Sequence, residues 1–159
     1  MLLLGAETIN GYTAAAAERF AEGSHLLASG NHGGAIYLFG YVAELVVKAA
    51  TYRLFGLGPS AKVEAGFRRS VEWMMGRDAL KPRGPHDILR WAEWLLLSKP
   101  ALTGAAYPLG LTIDFMFHAH VIDANWSPEM RYHRLAVEFD AALAVQTSTR
   151  WVMTLGPAF

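Results

Sequence analysis

The stretch AIYLFGYVAELVVKAATYRLF, residues 35–55, decides the fold. It is apolar on every side, yet it carries Glu44 and Lys48 four residues apart. A surface helix shows one apolar stripe, whereas a helix that is apolar all round must be enclosed by partners. The pattern therefore predicts a long central helix near residues 33–56, buried in an all-α bundle. Taking charges out of water is costly unless they pair. Glu44 and Lys48 are accordingly read as a structural pair that fixes register and calls for a further partner such as Arg131 or His86. The other reading makes them part of a functional site.

Ahead of this stretch, residues 13–29 read as a helix, with Thr13 as N-cap and Gly30-Asn31 as the stop. Tyr12, Ala16, Phe20, Gly23 and Leu27 recur at helical spacing on one face, and the small residues among them allow close approach to a neighbour. The short break around Gly30 predicts an antiparallel hairpin with the central helix. Behind it, GLGPS at 56–60 punctuates the chain and residues 61–85 form its least regular part. Lys62, Arg68, Arg69, Arg77, Lys81 and Arg83 face Glu64, Glu72 and Asp78 there, a local charge of +3. Val63, Phe67, Val71 and Met74 make a helical stripe, and KPRGP at 81–85 excludes a helix interior.

A further helix is expected from His86-Asp87, an acidic start suited to capping, with the stripe Ile88, Trp91, Ala92 and Leu95 and an end at Lys99-Pro100. Within 101–125, LTIDFMFHAHVID reads as a helix, although its β-branched and aromatic content leaves a strand open. The last helix is expected to start with Ser127 as N-cap, Pro128 and Glu129. Its stripe would be Tyr132, Leu135, Ala136, Phe139, Ala142 and Leu143, with Arg134 and Glu138 paired on the other side and an end near Thr154. Without strand alternation, repeat or linker, about five helices in one domain spanning 1–159 is the simplest architecture.

Apolar residues make up 53% of the 159-residue chain and charged ones 18%, which points to more apolar surface than one protomer hides and hence to a homo-oligomer. Fourteen Lys and Arg against fourteen Asp and Glu leave no overall field for nucleic acid or membrane, so any basic site must be local. The absence of cysteine excludes disulfide and thiol chemistry and suits the cytoplasm. MLLLGAETING is a poor signal peptide, and Gly30, Asn31, Gly33 and Gly34 interrupt the uncharged run, so no membrane span is expected.

Three clusters stand in order along the chain: Gly40-Tyr41-Val42-Ala43-Glu44-Leu45 with Lys48, then His86-Asp87-Ile88, then Trp126 followed after four intervening residues by Arg131-Tyr132. With Leu26, Leu27 and Gly30 closing the first helix, the chain resembles the small HEPN-domain proteins from about residue 14 to 151. The resemblance implies an up-and-down helical bundle that forms homodimers. It also implies kinship with metal-independent HEPN ribonucleases of toxin–antitoxin and phage-defence systems, some paired with a nucleotidyltransferase-like antitoxin. Those enzymes use Arg, four to six residues, then His. Here Arg83 has two residues before His86 and Arg77 has eight, while Lys81 has four but is a point charge without the planar guanidinium fork.

The residues with chemistry to offer are therefore His86 as general acid or base, Lys81 and Arg83 as phosphate ligands beside a helix N-terminus, and Arg131 as a second clamp. Glu44, Lys48, Asp87 and Tyr132 form a structural or site network around them. For Arg131 the plainer account is a pair with Glu44, and Tyr132 is a core residue. His118 and His120, two apart on a helix, point to nearly opposite sides, so no metal or cofactor is expected at His118, His120 and Asp123. Trp73, Trp91, Trp94 and Trp126 read as core anchors. The leading functional expectation is a HEPN-like protein that binds RNA or nucleotide phosphates with little or no catalysis. The alternatives are a metal-independent endoribonuclease and a non-catalytic protein-interaction module.

Overall fold

Thr8 starts the first helix: its hydroxyl accepts the Gly11 N–H at 3.1 Å, and α1 runs Ile9–Ala28. The chain, seen in a computed structural model, is described over residues 8–75, 86–132 and 136–155, with the backbone alone for Met74, Met75, Arg131 and Tyr132. The expected cap Thr13 lies a turn inside α1, where its hydroxyl donates to the Ile9 carbonyl. The earlier start has a tertiary cause. The free N–H groups of Ile9 and Asn10 donate to the carbonyls of Ala61 and Pro59 at 3.1 and 3.0 Å, so the loop behind the central helix satisfies the helix end.

Gly30, at φ +81°, turns the chain out of α1 in a Schellman motif, with the Asn31 N–H on the Leu26 carbonyl and the Gly30 N–H on that of Leu27. Asn31 then caps α2, His32–Leu54, by accepting the Gly34 N–H at 3.0 Å. Gly23 meets Phe39 while Thr13 meets Arg53, rising numbers against falling ones, so α1 and α2 form the expected antiparallel hairpin. α2 touches every other helix of the described chain. Phe39, Val42, Ala43, Val47 and Tyr52 are all buried on it. By length and composition α2 could cross a membrane, but 67% of its apolar window is buried within the bundle.

α3 is Val63–Met75, and its inward face differs from the expected stripe. Gly66 and Ser70 are buried while Phe67 is 43% exposed. The reason is the ring of Tyr52, which lies so close that a methyl on Gly66 would stand 2.6 Å from Cγ. α4, Ile88–Thr103, is capped by Asp87 Oδ1 on the Arg90 N–H at 3.1 Å, and Ile88, Trp91, Ala92 and Leu95 are buried as expected. Its end is not at Lys99-Pro100. Pro100 forfeits one hydrogen bond, yet its fixed φ suits a helix, and the chain turns only at Gly104, φ +73°, whose N–H reaches the Pro100 carbonyl at 2.9 Å.

α5, Leu109–Asn125, is a helix and not a strand, because Phe115, Ala119 and Ile122 bury one side at helical spacing. Beyond it, the expected last helix is replaced by a 3₁₀ turn, Pro128–Tyr132, and α6 begins only at Phe139 and runs to Leu155. Two ties hold this stretch against α2 before a helix can start: Trp126 Nε1 donates to the Tyr37 carbonyl at 3.1 Å, and His32 Nδ1 donates to the Val137 carbonyl at 2.9 Å. The buried face of α6 is Ala142, Val145, Ser148, Thr149 and Val152, leaving Phe139 and Leu143 of the expected stripe exposed. Leu135 and Arg134 lie outside the described residues. The result is an all-α bundle of six α-helices among the described residues, one more than expected.

Candidate functional site

Gly40, Glu44, Lys48 and Tyr52 follow one another at four-residue spacing and so share a face of α2. At the first of these a Cβ would overlap the Trp126 indole, so only glycine admits that ring. One turn on, Glu44 is 3% exposed, its Oε1 taking the Lys48 ammonium at 2.5 Å and its Oε2 taking His86 Nδ1 at 2.8 Å. Two charge-assisted bonds thus satisfy a carboxylate that would otherwise be buried at high cost. The Lys48 ammonium also lies 5.1 Å from the centroid of the Trp91 ring, a cation–π contact that helps hold the charge away from water.

Three phenols close in around the carboxylate. Burial, with the charges of Tyr41 and Glu44 beside it, pushes the Tyr12 hydroxyl up to about 12. Tyr41 is raised by burial and then by Glu44, and Tyr52 by burial, Tyr12 and Glu44. The rings interlock as well, Tyr52 standing edge-on to Trp91 at 6.0 Å and lying 6.4 Å from Tyr12. Each phenol keeps its proton through the neutral range, so the cluster offers hydroxyl groups and no further negative charge.

His86 is the opening in this enclosure, its side chain 45% exposed. With the Glu44 carboxylate as acceptor, Nδ1 donates this bond, and Nε2 is the other ring nitrogen. A ring oriented in this way is equipped to give or take a proton, or to meet an anion. Asp87 is committed to capping α4. Of the residues expected at the site, Glu44, Lys48 and His86 are brought together. Lys81 and Arg83 lie outside the described residues, and Arg131 and Tyr132 sit in the 3₁₀ turn, described by backbone only.

The expectation missed Tyr12, Tyr41, Tyr52 and Trp91. Tyr52 was within reach of sequence reasoning, being four residues beyond Lys48 on the same face, but Tyr12 and Trp91 arrive from other helices. His118 is engaged elsewhere, 3.1 Å from Ser148 Oγ and with its ring 4.5 Å from that of Trp151. Burial lowers its pKa while Asp114 pulls the other way. Among the described residues no three His, Asp or Glu side chains gather closely enough to hold a metal ion.

No protein-family model, curated protein or solved structure significantly matches the chain.

Proposed function

We propose that this chain is a HEPN-like protein that binds RNA or nucleotide phosphates beside His86, with little or no catalysis. The observation that carries this reading is a half-exposed imidazole anchored on a buried carboxylate whose charge Lys48 already balances. With Glu44 and Lys48 cancelling, the half-exposed His86 ring is the part of this cluster that reaches the surface. It lies next to the N-terminal end of the 16-residue α4, where the helix dipole favours anions. Lys81 and Arg83, five and three residues ahead of His86, supply further cations. The kinship also implies a homodimer, and the exposed Leu109, Ile113 and Phe117 of α5, with Phe139 and Leu143 of α6, offer apolar surface for a second copy.

The test is fluorescence anisotropy with a labelled single-stranded RNA over a salt series, alongside light scattering for mass. The expected outcome is a dimer whose affinity falls steeply with salt. His86→Gln and the double variant Lys81→Ala/Arg83→Ala should each bind at least about tenfold more weakly, roughly the loss of one charge-assisted contact. Absence of salt-sensitive binding overturns the proposal.

A second reading, a metal-independent endoribonuclease, is favoured by a half-exposed imidazole held through Nδ1 on a carboxylate, an arrangement that suits general acid or base work. Incubating the same RNA in chelator separates the two. Cleavage that His86→Gln abolishes supports the enzyme; intact RNA, or equal cleavage by both proteins, removes it.

A further inference from the structure

On another side of α2 lies a cavity of about 750 Å³, bounded by α1, α2, α4 and α6 and within the range of small-molecule sites. Ala16, Val46, Ala49, Leu54 and Met153 give it an apolar lining, and Arg53 and Lys99 bring two cations to it. Nine residues at about 100° each place Arg53 on the opposite side of α2 from Glu44, so this site is separate from the His86 cluster. Arg53 is held in place: its Nη2 donates to Thr13 Oγ1 at 2.8 Å, and the Thr13 hydroxyl donates to the Ile9 carbonyl at 3.3 Å. The Lys99 ammonium is seated 3.7 Å from the centroid of the Tyr107 ring, which steadies a cation without neutralising it. Among the described residues, neither cation has a carboxylate partner.

Arg53 also stands in the last turn of α2, where a cation suits the helix dipole. That role needs neither Lys99 nor a cavity. A purely apolar ligand would leave both cations unanswered, and a polyanion would press charge against alanine, valine and methionine. The ligand that answers every wall is an anion with an apolar chain, and a planar guanidinium fork matches a carboxylate best. We infer that this cavity binds a medium-chain alkyl carboxylate, its headgroup taken by Arg53 with Lys99 in support and its chain laid along Ala16, Val46, Ala49 and Met153.

Isothermal titration with monomeric decanoate, and with decanol as the uncharged probe, tests this on the full chain. Decanoate should bind saturably with one site per chain, at least about tenfold more tightly than decanol, a ratio equivalent to about 1.4 kcal/mol. Arg53→Gln should remove most of that preference. Ala17→Trp, placed at an exposed position that lines the cavity, should block both probes. Each variant is first shown to melt like the parent protein. His86→Gln should bind decanoate normally, which keeps this outcome separate from that of the RNA experiment. Lack of saturable decanoate binding overturns the inference, as does equal affinity for the two probes or equal decanoate affinity in the parent, Arg53→Gln and Ala17→Trp proteins.

Discussion

Gly40 and Glu44 stand one turn apart on one face of α2, and the contacts they make are opposite in kind. Gly40 has no side chain and receives the flat of the Trp126 indole; Glu44 has a charged one and receives an ammonium and an imidazole. Both are enclosed, and both tie α2 to a segment far along the chain. The first contact depends on volume, the second on the balance of charge. A change that one would tolerate therefore breaks the other, and substitutions chosen to alter only volume or only charge separate them.

The largest effect is expected from Glu44→Gln. Glutamine keeps the shape but leaves the Lys48 ammonium, 9% exposed, without a counter-charge, and breaking a buried pair in this way costs about 3–5 kcal/mol. Urea unfolding measures it. Replacing the pair together, as Glu44→Leu with Lys48→Met, should recover most of the loss, because no buried charge is then left over. A loss below about 1 kcal/mol for Glu44→Gln would place the ion pair in water, since exposed pairs are worth that little.

Gly40→Ala comes next, at about 1–3 kcal/mol, the usual cost of forcing an extra carbon into a packed interior. Charge is untouched, so the RNA binding proposed for the His86 site should persist in the folded fraction. A double-mutant cycle with Trp126→Leu identifies the cause: with the indole gone the added methyl has room, and the loss in the double variant should fall short of the sum of the two single losses by more than about 0.5 kcal/mol. Simple additivity would show that the ring does not press on this position.

Much of this pairing was legible in the sequence. A helix apolar all round yet carrying Glu44 and Lys48 needed both enclosure and a third partner, and His86 was one of two candidates named for it. The indole on Gly40 was less legible, because a glycine in a helix looks the same whether it relieves crowding or merely weakens the helix. Helix ends were the least legible. Thr13 has the chemistry of a cap, but the carbonyls of Pro59 and Ala61, some fifty residues away, settle where α1 begins. Ser127-Pro128-Glu129 has the chemistry of a helix start, but Trp126 and Val137 are tied to α2 and delay the helix to Phe139. Local signals state where a helix is able to begin; contacts distant in sequence choose among those places.

The smallest expected effect is a difference in alkaline sensitivity between the two ends of this face. Tyr12 has an ordinary value of 10.0 and is pushed up to about 12 in the folded chain, by burial first and then by Tyr41 and Glu44. The folded protein therefore keeps a proton that the unfolded chain releases. Stability from this group is fully present below about pH 10 and is lost as pH rises through about 12. Tyr12 is only partly buried, and solvent screening trims its share to about 1 kcal/mol, which moves the Tm of a chain this size by about 2–4 °C. Thermal melts at pH 9 and pH 11 should show the parent losing about half of that more than Tyr12→Phe, since pH 11 lies midway between the two values. Gly40→Ala, melting lower at both pH values, should keep the parent's full difference, because no titrating group touches its contact with Trp126. Equal alkaline losses in the parent and Tyr12→Phe would mean that this phenol ionises as freely in the bundle as in the unfolded chain.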